Sequence, residues 1–97
     1  MVRAQACETV AVIAGEQGLE FVLAVLENDP DPAVRRAAAR TITARYGKDQ
    51  RAREALARTV GDADPSVSYA AHKALSELTG REKMPRSKEA WMQAIRP

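Results

Sequence analysis

The chain predicts an all-α fold, an α-solenoid of antiparallel helix pairs with about six helices. Three observations predict it. Apolar residues recur at helical spacing along nearly the whole chain. Aspartate, proline and glycine punctuate those runs. Three segments overlay on one another at offsets of 32 and then 33 residues. A repeat at that spacing is a unit that cannot bury its own apolar faces, so copies stack.

The stretch from Asp31 to Gly47 carries the clearest helix. Asp31 is a ready N-cap, and Pro32 suits the first helical position, where no amide bond is lost. Val34, Ala37, Ala38, Thr41 and Ile42 fall at i, i+3, i+4, i+7 and i+8 and make one stripe. Gly47 is expected to close the helix in the left-handed conformation.

The other elements follow in order. Val2, Ala6, Val10 and Ile13 form a first stripe that stops at Gly15. Leu19, Val22, Leu23 and Leu26 form the next, and Phe21 and Val25 widen its apolar arc, which predicts packing on more than one side. Asn28-Asp29-Pro30 breaks it. Asp49 caps a helix carrying Ala52, Ala55, Leu56 and Val60, on which Glu54 and Arg58 are spaced to pair at i, i+4. Asp64-Pro65 repeats the cap-and-proline start, followed by Val67, Ala70, Ala71, Ala74, Leu75 and Leu78, with Gly80 as the stop. Residues 81–86 form a polar connector, and Ser87 caps a last short helix with Trp91, Met92 and Ile95.

The overlay aligns Val2, Val34 and Val67; Ala6, Ala38 and Ala71; Val10, Ile42 and Leu75; and Gly15, Gly47 and Gly80. One further helix lies between consecutive copies. The chain therefore reads as a single domain, 1–97: a lone or capping helix over 1–15, repeats over 16–47 and 48–80, and a connector with a capping helix over 81–97. The first unit begins within its second helix. Val2, Val10, Val12 and Ile13 are then left with an open neighbour position, which predicts homodimerisation or docking there.

The runs D-P-D-P-A-V-R-R-A-A-A-R-T-I and D-A-D-P-S-V-S-Y-A-A-H-K-A-L resemble the HEAT repeat family, and within it the short HEAT-like repeats of the phycobilisome-lyase type. The resemblance implies a polar ladder between adjacent repeats, here using Arg3, Asp31, Arg35 and Asp64. Ser68 stands where the third arginine would be. It also implies that Trp91, Met92 and Ile95 form the tail that closes such arrays, and that the second helices line the inner surface. The family holds scaffolds, lyase subunits and nucleic-acid binders, so fold alone does not supply function.

Bulk properties bound the rest. At 45% hydrophobic the chain is too apolar to be disordered. The net charge is +2, unevenly spread: residues 1–32 hold one base against six acids, and residues 33–60 hold eight bases against two acids. A single cysteine, Cys7, allows no internal disulfide. No signal peptide is visible, and no apolar run approaches transmembrane length, so the expected location is cytoplasmic with no membrane partner.

No catalytic motif is present, no set of metal ligands is patterned, and no cofactor is implied, so the chain reads as no enzyme. Cys7 is expected to be a small packing residue and His72 a surface residue. Arg35, Arg36, Arg40 and Thr43, with His72 and Lys73 on the next repeat, form the expected partner-binding strip. Arginine there can hold carboxylate or phosphate. A protein partner, with an acidic segment, is the preferred reading. Nucleic-acid backbone binding is the first alternative. An accessory subunit of a lyase-type enzyme, with a chromophore as its test, is the second.

Overall fold

In the computed structural model, which describes residues 2–96, six α-helices form two layers. The helices are α1 (Val2–Ala14), α2 (Leu19–Asn28), α3 (Pro32–Tyr46), α4 (Gln50–Thr59), α5 (Pro65–Thr79) and α6 (Lys88–Ala94), with a 3-10 turn at Gly15–Gly18. Met1, Pro97 and the side chain of Val2, expected to head the first stripe, lie outside the described residues. No strand occurs among those described.

Caps set the helix starts. Asp31 accepts from the Ala33 amide at 2.9 Å, Asp49 from Arg51 at 2.8 Å, Asp64 from Ser66 at 2.8 Å, and Ser87 from Ala90 at 3.3 Å. Each bond satisfies one of the amides that a helix start leaves free. Pro32 and Pro65 sit in the first helical turn.

The stops divide into two kinds. Gly80 takes the left-handed conformation, with φ +72°, and Gly15 has φ +58°. Gly47 does not. Its φ is −59°, ordinary right-handed backbone. Space is tight there instead: a Cβ would lie 2.5 Å from Leu78 Cδ2 on α5, so a larger residue would have to displace the end of that side chain. The stop expected from backbone conformation is a close contact between repeats.

Helix α3 is the centre of one layer, flanked by α1 and α5, while α2, α4 and α6 make the other. Val34, Ala38 and Ile42 on α3 and Val67, Ala71 and Leu75 on α5 are at most 2% exposed. Ala38, Ile42, Ala71 and Leu75 join Leu19, Val22, Leu26 and Leu56 in one core. Alanine supplies much of it, which lets the helices approach closely. Cys7 is fully buried, and burial pushes its thiol up from its ordinary value.

Helix α1 departs from the expected register. Its buried residues are Cys7 and Ala11, while Ala6 and Val10 are half-buried and Ile13 is 80% exposed. The Ala6–Val10–Ile13 side corresponds to the Ala38–Ile42 side of α3 and is only partly covered. The segment Arg3–Asn28 reaches a mean hydropathy of 1.6 over an 18-residue window, a longer apolar run than the sequence reading allowed. The chain turns at Gly15, and the resulting helices of 13 and 10 residues fall short of the ~20 that span a bilayer.

Candidate functional site

The polar turns between paired helices hold the repeats in register. Arg3 Nε donates to Asp29 Oδ2 at 2.7 Å. Arg35 Nε donates to Asp62 Oδ2 at 3.0 Å, and its Nη1 donates to the Asp29 carbonyl at 2.8 Å. One arginine on α3 thus ties its own turn to the next one. The ladder's acids are Asp29 and Asp62, correcting the expected Asp31 and Asp64. The reason is local. A carboxylate at the N-cap is aimed at its own helix amides, whereas the aspartate two residues earlier faces the neighbouring repeat. Asp29 and Asp62 also accept from the amides of Asp31 and Asp64, so both turns share one geometry. The Arg3 guanidinium and the Asp31 amide hold the Asp29 carboxyl below its usual range. Ser68 ends the series. Its buried hydroxyl donates to the Val60 carbonyl at 2.6 Å.

Between α3 and α5 runs a groove of about 480 Å³. Its floor holds Ala39, Ala70 and Ala74, and its walls carry Arg36, Arg40 and Lys73. Arg40 and Lys73 are exposed, and Arg36 donates to Ser66 across the two helices. Thr43 lines the same groove, with its hydroxyl turned back to the Ala39 carbonyl at 2.8 Å. Glu77 is the one carboxylate on the lining. A second groove of about 450 Å³ lies between α1 and α3, and Arg40 borders both. Arg45 and Glu8, 2.7 Å apart, tie α1 to α3.

Two residues of the expected strip lie elsewhere. Arg35 is only 16% exposed and is committed to the ladder. His72 is not on the groove lining; its Nδ1 accepts from Trp91 Nε1 at 2.9 Å. The helical angle decides both cases: Arg36, Arg40 and Lys73 share one side of their helices, whereas Arg35 and His72 are turned toward the neighbouring layer and turns. Tyr69, half exposed on the groove wall, was missed. The 33-residue offset aligns it with Arg36, so the overlay held that signal. The expected Glu54–Arg58 pair is also replaced. Arg58 reaches Glu27 on α2 at 2.9 Å, and Glu54 accepts from Gln50.

At the C-terminal end, Trp91 is fully buried and Ile95 nearly so, with Met92 partly covered. Gln50 Nε2 donates to the Ile95 carbonyl at 2.8 Å, pinning α6 to the start of α4. Among the described residues, no cluster of His, Cys, Asp and Glu could hold a metal.

Stacked helix pairs, a polar ladder through their turns and a groove along the second helices define a helical-repeat module. The model of HEAT repeats matches residues 19–94, and the chain belongs to the HEAT repeat family. The match does not extend to the phycobilisome-lyase type. HEAT repeats generally serve as protein-interaction scaffolds, and the family is usually non-enzymatic. Comparison with curated proteins and with solved structures gives no significant match.

Proposed function

We propose that this protein is a non-catalytic scaffold that holds an acidic segment of a partner protein in the groove between α3 and α5. The observation that carries this reading is the groove's lining: Arg36, Arg40 and Lys73 rise from an alanine floor, with Glu77 alone opposing them. A small-residue floor lets a partner backbone approach closely. The cations then meet carboxylates on the partner's flanks, which sets orientation and association rate as well as affinity. Tyr69 adds a half-exposed aromatic of the kind that anchors interfaces. We assign the work to the cytoplasm, in keeping with one buried cysteine and no disulfide.

The test is fluorescence polarisation with a labelled amphipathic peptide bearing glutamates, beside a single-stranded oligonucleotide of equal charge. Peptide binding that weakens at least about tenfold in Arg40→Glu/Lys73→Glu supports the reading. Preference for the oligonucleotide, with affinity collapsing between low and physiological salt, would transfer the groove to nucleic-acid backbone binding.

A second reading concerns the open side of α1. Exposed Val12 and Ile13 favour self-association through this helix, since clustered exposed apolar side chains mark contact surfaces.

A further inference from the structure

We infer that the His72–Trp91 pair is an acid-released latch for α6. The chain has one histidine and one tryptophan, and they meet. Trp91 Nε1 donates to His72 Nδ1 at 2.9 Å, and the rings sit edge to face with centroids 5.7 Å apart. An indole N–H can only donate, so Nδ1 must carry a free lone pair and the neutral ring keeps its proton on Nε2. Protonation turns Nδ1 into a second donor facing the first. The electropositive edge of the indole then faces a cation. Trp91 is fully buried, so its N–H has no water to turn to.

The surrounding charges do not substitute for that bond. On α5, Lys73 and Glu77 line the groove, whose lining excludes His72. On α4, Arg53 donates to the Gly47 and Leu78 carbonyls, Arg51 pairs with Asp49, Arg58 with Glu27, and Glu54 takes Gln50. On α6, Glu89 accepts from Ser87, the Lys88 chain lies along Gly61, and Arg96, just past the helix end, is exposed. The connector's Arg81, Glu82, Lys83 and Arg86 are exposed. No ion pair to His72 forms among the described residues.

The bond is therefore present while the imidazole is neutral and lost when acid protonates Nδ1. Helix α6 has seven residues and is held largely through Trp91, Ile95 and the Gln50 contact. Losing one buried hydrogen bond shifts its docking equilibrium by about tenfold toward release. Release uncovers the side of α4 on which α6 packs.

Trp91 emission and near-ultraviolet circular dichroism, recorded from pH 8 to pH 5 on the full chain, test the latch. The expected result is a red shift of emission as the pH is lowered. Far-ultraviolet ellipticity should fall only by the share of α6. His72→Gln keeps an acceptor but does not titrate, so its emission should stay flat. A flat wild-type profile, or the same transition in His72→Gln, overturns the proposal. Nitrogen-15 shifts of the single imidazole give an independent check that needs no variant: protonation on Nε2 at pH 8 supports the latch, and protonation on Nδ1 overturns it.

Discussion

At the C-terminal end of the array Trp91 is fully buried, whereas at the N-terminal end Val12 is 59% and Ile13 80% exposed. Both ends belong to a stack whose middle helices bury their central stripes, such as Ala38 and Ile42 on α3 and Ala71 and Leu75 on α5. The C-terminal end is closed by α6, a helix of seven residues carrying one large aromatic. The N-terminal end presents α1, whose inner residues Cys7 and Ala11 are covered and whose flank is half covered at Ala6 and Val10 and open at Ile13. A terminal repeat with a polar outer face keeps a solenoid soluble. A solenoid's stability is a sum over neighbours, so the closed end depends on Trp91, Ile95 and the Gln50 bond, and the other end on the burial of Cys7 and Ala11.

Substitution at the closed end should have the largest effect. Trp91→Ala removes the largest fully buried side chain and leaves a cavity beneath α6. We expect a loss of about 3–5 kcal/mol, and a thermal midpoint lower by about 15 °C or more, read by far-ultraviolet circular dichroism. A fall below 1 kcal/mol would show that α6 contributes little to the closed end.

The ladder between the ends comes next. Arg35→Ala removes both the Asp62 pair and the bond to the Asp29 carbonyl. Urea denaturation should register about 2 kcal/mol, because the lost bonds are charge-assisted and partly buried. Arg3→Ala, on an exposed side chain at the open end, should cost much less, and equal losses would remove the contrast between the ends.

Acid should weaken the turns on both sides. Arg3 holds the Asp29 carboxyl below its usual range, the Ser66 hydroxyl and amide do the same for Asp64, and Arg51 does so for Asp49. Groups with a depressed folded value contribute fully above the unfolded carboxylate value, about 3.9, and lose that contribution as the pH falls through the folded value. The urea midpoint should therefore drop steeply below about pH 4. A midpoint unchanged between pH 5 and pH 3 would refute the assignment.

The smallest effect on stability belongs to the open end. Ile13→Ser should change stability by under about 0.5 kcal/mol, since the side chain is already in water. Its effect should fall on assembly. If the wild type associates in sedimentation velocity, the variant should be monomeric, and association that survives the change would move the contact away from α1.

Local chemistry was legible in the sequence. Asp31, Asp49, Asp64 and Ser87 as caps, Pro32 and Pro65 as first-turn residues and the alanine stripes of α3 and α5 all depend on neighbours within a few positions. The groove was half legible: the overlay brought Arg36, Arg40 and Lys73 to one strip, but it did not separate Arg35 and His72 from them, and Tyr69 went unnoticed.

What the sequence by itself determined is the number of helices, their starts and the repeat that makes them stack, because those follow from bonds spanning two to four residues and from the 3.6-residue period. Only the tertiary structure decided which aspartate of each turn joins the ladder, that Gly47 lies against Leu78 in right-handed backbone, that Arg58 pairs with Glu27, and that His72 meets Trp91. Each of those contacts joins residues 19 to 31 positions apart, on different helices or on the turns between them. Their partners are fixed by the rotation and spacing of whole helices in the stack, which no window of neighbouring residues contains.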